Sequence, residues 1–183
     1  MSGRLEIVLG CMFSGKSTEL LRRISRYSAI KFNTLLINSK KDSRTGDSVK
    51  THNNVVKQAL KVDNLMQILS DKEYFSTYST SDVIGIDEAQ FFPDLLDFIK
   101  QTERDNKIII IAGLDGDSNR KPFGQILHCI PLCDEVTKLT AMDMISKDGT
   151  PAIFTKRLVD NSDQICVGAK NEYAAVSRKN YLS

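Results

Sequence analysis

The apolar positions of the chain fall into short continuous runs that are separated by longer segments of mixed character. Four such runs lie at residues 5–9, 34–38, 82–86 and 107–112. Runs of this length that are rich in Ile, Val and Leu are typical of strands covered by helices on both faces. Because strand-like and helix-like segments alternate, the pattern predicts an α/β fold in which helices flank a parallel sheet.

Two of the intervening segments are predicted to be helices. Residues 17–26 place three aliphatic side chains at helical spacing. Pro93 suits the first position of a second helix, which we expect to run to about residue 104. The polar segments 42–54 and 74–81 are instead predicted to be loops.

The pattern changes after residue 140. Gly149 and Pro151 are expected to interrupt regular structure. Two short strands are predicted after them, at 153–158 and 164–167, with polar residues between the two. We therefore expect a main domain over residues 1–140 and a small lobe over residues 141–183.

Composition and charge limit the classes of partner. The chain has 183 residues, of which 41% are hydrophobic, and a formal net charge of +2. Such a chain can bury one substantial core, but its charge is too small to indicate a nucleic-acid surface. Arg22, Arg23 and Arg26 do cluster, yet no aromatic platform accompanies them, which favours a solvated face or a subunit contact. We expect no nucleic-acid partner.

The apolar runs and the cysteines bear on location. The longest aliphatic run, residues 108–112, is far too short to cross a bilayer, and the chain opens without a signal-peptide pattern. Cys11, Cys129, Cys133 and Cys166 form no C-x-x-C pairs, so reduced thiols are expected. These features predict a soluble, cytoplasmic protein with no membrane partner.

A phosphate-binding loop follows the first predicted strand and opens the first predicted helix. The pattern G-x-x-x-x-G-K-[ST] is matched by Gly10, Cys11, Met12, Phe13, Ser14, Gly15, Lys16 and Ser17. The glycines let backbone N–H groups turn toward phosphate oxygens, Lys16 reaches the β and γ oxygens, and Ser17 offers its hydroxyl to Mg²⁺. The helix N-terminus adds a favourable dipole for the phosphates. The sequence therefore predicts nucleotide phosphate binding.

A carboxylate pair ends the third predicted strand. In a phosphate-loop protein, an aspartate in the place of Asp87 is the usual second partner of Mg²⁺. Strand side chains alternate, so Glu88 is expected to point away from Asp87, toward an acceptor or water, as a candidate general base. The alternative is that both carboxylates merely cap the helix that follows.

A phosphate loop occurs in several classes of protein, and three of them can be compared with the sequence. A GTPase needs Asn-Lys-x-Asp, and residues 106–109 lack its aspartate. A motor-type ATPase acting on nucleic acid would show ATP hydrolysis stimulated by DNA. A non-catalytic nucleotide-binding protein is the third alternative, although Lys16, Asp87 and Glu88 together exceed what a structural role needs.

The chain resembles the cellular-type (type II) thymidine kinases over nearly its whole length. The main similar motifs are GCMFSGKSTEL at residues 10–20 and IDEAQFFPD at residues 86–94. Further similar segments lie at 42–44, 51–52, 113–116, 120–123, 138–141, 155–158 and 168–173. The resemblance implies transfer of the γ-phosphate of ATP to the 5′-hydroxyl of thymidine, and of deoxyuridine, in nucleoside salvage.

The resemblance also implies roles for individual residues. Glu88 would be the general base, and Ser17 and Asp87 would hold Mg²⁺. The ATP side would comprise Gly10, Met12, Phe13, Ser14, Gly15, Lys16, Ser17, Thr18, Asp87 and Gln90. The thymidine side would comprise Met12, Arg44, Phe91, Leu114, Phe123, Thr155, Cys166, Val167, Gly168 and Tyr173, with Arg44 near the transferred phosphoryl group. A lasso-like loop at about residues 159–172 would close over the nucleoside, and the assembly would be a homotetramer.

Two departures from that family stand out. Where fuller members carry four zinc-binding cysteines, this chain has Asp143, Ser146, Ser177 and Asn180. None of these is a thiolate, so no zinc is expected, and His128, Cys129 and Cys133 are expected to be packed rather than ligated. Ser118 stands where relatives place an aromatic ring against the base, which would weaken or broaden nucleoside selection.

Overall fold

The computed structural model describes residues 3–42, 48–50, 56–159 and 172–183. Its strands are β1 (Arg4–Gly10), β2 (Thr34–Ser39), β3 (Ser48–Lys50), β4 (Val56–Gln58), β5 (Leu60–Val62), β6 (Val83–Ile86), β7 (Ile108–Gly113), β8 (Glu135–Leu139), β9 (Ala141–Met142), β10 (Pro151–Ala152), β11 (Phe154–Arg157) and β12 (Tyr173–Val176). Its α-helices are α1 (Lys16–Ala29), α2 (Gln67–Ser70), α3 (Lys72–Thr80), α4 (Leu95–Thr102) and α5 (Arg178–Leu182).

The central sheet has six strands in the order β5-β2-β6-β7-β1-β8. Every neighbouring pair in it is parallel, which confirms the predicted α/β class. β1, β6 and β7 lie side by side, so their carboxyl ends meet at one edge. In open α/β sheets, ligands bind at that edge.

Buried aliphatic and aromatic side chains cover both faces of the sheet. On one face, α4 and α3 supply Phe98, Leu95 and Tyr78 against the Ile side chains of the strands. On the other face, α1 supplies Leu20, Leu21 and Ile24. The helical spacing predicted for residues 17–26 therefore identified a buried face correctly.

One predicted loop is a helix. Residues 74–81 were expected to be a loop, but α3 begins at Lys72 after Asp71, whose side chain accepts hydrogen bonds from the N–H groups of Glu73 and Tyr74. Tyr78 is 1% exposed. The N-cap and the burial of this ring outweigh the weak helix propensity of the Ser and Thr residues.

The start of α4 and the segment 42–54 also differ from expectation. Pro93 is not the first helical residue, because Asp94 is the N-cap and the helix begins at Leu95. The Asp94 carboxylate instead accepts hydrogen bonds from Leu65 and Met66 N–H. Within 42–54, expected to be a loop, β3 pairs antiparallel with β4.

Arg23 is buried rather than solvated. Its guanidinium contacts the carboxylates of Glu6 at 2.6 Å, Glu19 at 2.8 Å and Glu135 at 3.0 Å. The expectation that the basic cluster of α1 is a solvated face or a subunit contact is therefore wrong for this residue. Arg23 joins α1 to β1 and β8.

The described residues beyond 140, which we call the C-terminal segment, form two small antiparallel sheets. β10 pairs with β9, and β11 pairs with β12. The predicted strand at 153–158 is thus confirmed as β11, whereas the one predicted at 164–167 lies outside the described residues. Within the described ranges, no helix is long and apolar enough to cross a bilayer.

Candidate active site

The phosphate loop joins the end of β1 to the start of α1. Gly15, the N-cap of α1, has φ 85°, a left-handed conformation that favours glycine. A Cβ on Gly10 would lie 2.6 Å from the Leu139 carbonyl oxygen, so only glycine fits beside β8. Phe13 is also left-handed, with φ 65°. The backbone of the loop thus needs both glycines of the motif.

Lys16 and Ser14 are the polar side chains inside this loop. The Lys16 ammonium donates a 2.8 Å hydrogen bond to the Cys11 carbonyl oxygen. Desolvation lowers the pKa of Lys16, while the negative charge of Glu88 opposes that shift. The buried Ser14 hydroxyl has no hydrogen-bond partner among the described residues. Both groups can therefore serve an anion held by the loop.

Asp87 follows β6 and lies against the first turn of α1. The Asp87 carboxylate accepts a hydrogen bond from the Ser17 side chain, and Asp87 is 3% exposed. Burial first, and the nearby Glu88 charge second, raise the pKa of Asp87, while the Ser17 hydrogen bond opposes this rise. A buried carboxylate beside a hydroxyl is a hard-oxygen donor set that suits Mg²⁺, and a cation there would favour the ionised form.

Glu88 occupies a left-handed position, with φ 50° and ψ 40°. β6 has already ended at Ile86, so strand alternation does not set the direction of this side chain, and our reasoning from it was wrong. The Glu88 N–H donates to Asp87 Oδ1 at 3.0 Å. Neither carboxylate caps the helix that follows: the Glu88 side chain makes no cap hydrogen bond to the 3₁₀ turn Ala89–Phe91, and α4 has Asp94 as its N-cap.

Gln90 links this carboxylate to the next strand end. Its Nε2 donates to Glu88 Oε2 at 2.6 Å, and its Oε1 accepts from Leu114 N–H at 2.9 Å. The resemblance implied that Gln90 lies on the ATP side. In the structure its amide bridges the candidate base and a residue implied for the thymidine side.

Two implied thymidine residues are in contact with each other. The rings of Phe91 and Phe123 meet edge to face, with centroids 5.6 Å apart and planes 89° apart. Phe123 is buried and Phe91 is half-buried. These two rings, which we call the apolar wall, follow the carboxyl ends of β6 and β7 in the chain and could receive a flat base.

The phosphate loop also contacts the C-terminal segment. Met12 N–H donates to Thr155 Oγ1 at 3.0 Å, and the Cys11 thiol donates to the Ala152 carbonyl oxygen at 3.5 Å. Tyr173 lies opposite Arg157 in the β11–β12 pair, and Arg157 Nη2 donates to its hydroxyl at 3.1 Å. Arg157, which received no role from the sequence, is thus a cation near a predicted substrate residue.

Four implied site residues lie outside the described residues: Arg44, Cys166, Val167 and Gly168. Most of the predicted lasso loop, residues 159–172, lies there too. Thr18 is described and exposed in the first turn of α1. Their roles stay predictions.

The loop that carries Ser118 is held by the C-terminal helix, a contact that the sequence did not predict. Tyr181 in α5 donates its hydroxyl to the Ser118 carbonyl oxygen at 2.7 Å. The Arg120 guanidinium lies 4.5 Å from the Tyr181 ring centroid. This pairing spans 63 residues, and no local pattern signals it.

The four residues at which the sequence resemblance implied a lost zinc site are joined by hydrogen bonds. Asp143 Oδ2 accepts from Ser177 N–H at 2.7 Å and from Asn180 Nδ2 at 2.9 Å. Asn180 Nδ2 also donates to Ser146 Oγ at 2.7 Å, and Ser146 N–H donates to Asp143 Oδ1. We call Asp143, Ser146, Ser177 and Asn180 the polar clasp. It ties the turn after β9 to the start of α5.

Of the three residues that were expected to be packed, Cys129 is buried and Cys133 is partly buried, whereas His128 is exposed, so the expectation is wrong for His128. Cys129 is fully buried and donates to the Gln125 carbonyl oxygen. Burial raises the pKa of the Cys129 thiol to about 11, which disfavours the thiolate that zinc requires. Within the described residues, no group of three or more His, Cys, Asp or Glu side chains could hold a metal ion. That no zinc binds the protein stays a prediction.

Comparison with known proteins finds thymidine kinases that match nearly the whole of this chain. A family model described as thymidine kinase matches residues 3–181. Thymidine kinase from Vaccinia virus (strain Western Reserve) is 41% identical over 180 residues, covering 98% of this chain and 97% of the viral protein. Thymidine kinase from Yaba monkey tumor virus (strain VR587) is 42% identical over 181 residues, covering 99% and 96%.

A third relative, thymidine kinase from Myxoma virus (strain Uriarra), is 39% identical over 181 residues, covering 98% of this chain and 97% of its own. A phosphate loop, a carboxylate pair at the end of β6 and an aromatic wall beside them are thus found in a chain that matches these enzymes from end to end. The chain belongs to the thymidine kinase family.

Proposed function

We propose that this protein is a nucleoside kinase that transfers the γ-phosphate of ATP to the 5′-hydroxyl of thymidine, giving thymidine monophosphate. The observation that carries the proposal is the convergence of the phosphate loop, Asp87, Glu88 and the Phe91–Phe123 wall at one edge of the sheet. Family membership supports the same reaction. Deoxyuridine would serve as a second substrate.

In the proposed site, the phosphate loop binds the ATP phosphates. Backbone N–H groups at the start of α1 and the Lys16 ammonium supply positive charge to the β and γ oxygens. Lys16 would exchange its present bond to the Cys11 carbonyl oxygen for phosphate oxygens. Ser17 and Asp87 would hold Mg²⁺, which would neutralise charge on the same oxygens.

Glu88 would act as the general base. The thymidine 5′-oxygen attacks the γ-phosphorus, the bond between that phosphorus and the β–γ bridging oxygen breaks, and the electron pair leaves with ADP. The 5′-hydroxyl proton passes to the Glu88 carboxylate late in this step, so position matters more than a strongly shifted pKa. Arg44 would stabilise the transferred group, since charge spreads over its oxygens in the transition state.

The nucleoside would be held by the apolar wall and by the C-terminal segment. Phe91, Phe123 and Leu114 would contact the thymine and sugar, while Met12 and Thr155 would place the C-terminal segment against the phosphate loop. Tyr173, Cys166, Val167 and Gly168 would close the site and exclude water, which otherwise competes for the γ-phosphate. Gly10, Phe13, Ser14, Gly15 and Thr18 would complete the ATP side.

A panel of nucleosides with ATP and Mg²⁺, assayed for 5′-monophosphates, tests the proposal. We expect product from thymidine and deoxyuridine, and none from purine nucleosides. Robust ATP hydrolysis that responds to DNA but yields no thymidine monophosphate would instead establish a nucleic-acid ATPase. Omission of Mg²⁺, or its removal with EDTA, is expected to abolish transfer, and added Mg²⁺ is expected to restore it.

The role of Glu88 is tested by Glu88→Gln, which preserves size and polarity but removes the basic charge. We expect kcat to fall by about a hundredfold or more, with nucleotide affinity retained, as is typical when a general base is lost. A folded Glu88→Gln enzyme with near-normal kcat would remove Glu88 from this role.

We also propose an assembly and a location. A homotetramer rests on the resemblance alone, and sedimentation of the purified protein tests it. A cytoplasmic location is supported by the free thiols of Cys11, Cys129 and Cys133.

A further inference from the structure

We propose that Gln90 is a positioning residue, which fixes the Glu88 carboxylate for proton transfer. It also couples the position of that carboxylate to Leu114, which directly follows β7. This inference rests on the proposed role of Glu88 as the base. It assigns to Gln90 a function other than the nucleotide contact that the sequence resemblance implied.

The two hydrogen bonds determine the orientation of the Gln90 amide. The Leu114 N–H can only donate, so it must face Oε1, and Nε2 is then directed at the Glu88 carboxylate. The bond from Leu114, at 2.9 Å, has the usual length of an N–H···O hydrogen bond, and the bond to Glu88, at 2.6 Å, is shorter than usual. The amide therefore has one orientation in which both partners are satisfied.

The surroundings of Gln90 keep this side chain in place. Gln90 is 3% exposed. A Cβ on Gly113 would lie 2.6 Å from Gln90 Oε1, and a Cβ on Gly124 would overlap the Gln90 carbonyl oxygen. Two glycines on separate segments thus make room for this one residue. A side chain packed so closely can hold its partner with little freedom.

The chemistry of an amide suits this task. Glu88 has several rotatable side-chain bonds and is only half-buried, so it needs a partner to stay in one orientation. A neutral amide donor holds the carboxylate through a hydrogen bond and adds no further charge to the site. The same amide accepts a hydrogen bond from the Leu114 N–H. A movement of Leu114, which is proposed to contact the nucleoside, would therefore be transmitted to Glu88.

Gln90→Met tests the proposal, because it keeps the approximate volume and removes both hydrogen bonds. We expect kcat to fall by about 10- to 50-fold, while the KM for ATP stays within about threefold. Gln101→Met, the same change on the exposed face of α4, is the matched control and is expected to keep wild-type kinetics. Gln90→Glu is nearly isosteric and replaces the donor with a second carboxylate. It keeps an acceptor for the Leu114 N–H and removes only the donor to Glu88, so it tests the bond to the base if Gln90→Met lowers the melting temperature severely.

A double-mutant cycle separates action through Glu88 from an independent contribution. If Gln90 acts through Glu88, adding the Gln90 change to Glu88→Gln lowers kcat by less than about threefold further. A full additional 10-fold loss, or a raised ATP KM with unchanged kcat, would overturn the positioning role and favour direct nucleotide contact. Near-normal kcat in Glu88→Gln alone would overturn the proposed base, and with it this inference, so the two failures are distinguishable.

Discussion

The central sheet and the C-terminal segment are held together by different interactions. The sheet is covered on both faces by Ile, Leu, Val and Phe side chains, many of them fully buried. The apolar cluster where the C-terminal segment meets the phosphate loop consists of three alanines and Cys11, with Phe13 packed against it. Large apolar side chains contribute about 1.5–3 kcal/mol each when buried, whereas alanines contribute much less.

The C-terminal segment compensates with directed polar bonds. In the polar clasp, one carboxylate accepts four hydrogen bonds, from the N–H groups of Ile145, Ser146 and Ser177 and from the Asn180 amide. The comparison suggests that the sheet unfolds only globally, while the C-terminal segment can open locally when one polar partner is lost. The clasp joins the residues at which the resemblance implied a lost zinc site, and its hydrogen bonds link the turn after β9 to the start of α5.

The largest effect is expected in the sheet. Phe98 is fully buried in α4, and its ring meets Tyr78 edge to face. Phe98→Ala is expected to lower the free energy of unfolding by about 3–5 kcal/mol, because it leaves a cavity in a close-packed core. Urea unfolding measures this loss. Phe75→Ala, which removes a half-exposed ring from α3, is the control and is expected to cost about 1 kcal/mol or less.

A local effect is expected in the polar clasp. In Asp143→Asn, an NH₂ group replaces one carboxylate oxygen. Each of these oxygens accepts two hydrogen bonds, so the two groups that donate to the replaced oxygen lose their acceptor. Amide hydrogen exchange is expected to accelerate at Ile145, Ser146 and Ser177 while the strands of the central sheet keep their protection. Asp148→Asn, on the exposed turn nearby, is the matched control. Uniform acceleration across the sheet would show that the two regions unfold as one unit.

The difference in stability between the wild-type protein and Asp143→Asn is expected to depend on pH. Although burial raises it, hydrogen bonds from Ser177 and from the Ser146 and Ile145 N–H groups hold the pKa of Asp143 well below its usual value. A group with a lowered folded-state pKa stabilises the fold above its unfolded pKa, about 3.9, and loses that contribution as pH falls through the folded value. The stability difference between wild type and Asp143→Asn is therefore expected to be constant near neutrality and to shrink below about pH 4. A difference unchanged at pH 3 would contradict the role of the ionised carboxylate.

The smallest effect is expected where the two regions meet. Thr155→Val keeps the shape of the side chain and removes the acceptor for Met12 N–H. We expect a loss of about 1 kcal/mol in stability and a rise of a few-fold in the thymidine KM, with kcat nearly unchanged. Thr140→Val, on an exposed position beside β8, is the control. A large fall in kcat would mean that this contact orders the phosphate loop itself.

Sequence reasoning located the parts of the site that local patterns encode. The phosphate loop and the position of Asp87 after β6 follow from short motifs, because glycine conformations, a lysine and a strand-ending carboxylate have fixed chemical reasons for their order. The direction of the Glu88 side chain did not follow from strand alternation, because β6 ends at Ile86. The Gln90 bridge was not found. It depends on the approach of Leu114, 24 residues away, and on the room left by two glycines on separate segments.

The sequence by itself determined the α/β class, the phosphate loop and the family of this protein, because apolar runs and short motifs act over a few neighbouring residues. Only the tertiary structure decided that residues 72–80 form a helix, that Arg23 is buried among carboxylates, and that Asp143, Ser146, Ser177 and Asn180 bond to one another. Local partners contribute in each case, but each also needs a partner distant in the chain: Phe98 for Tyr78, Glu6 for Arg23 and Ser177 for Asp143. The approach of these distant partners is set by packing rather than by local preference.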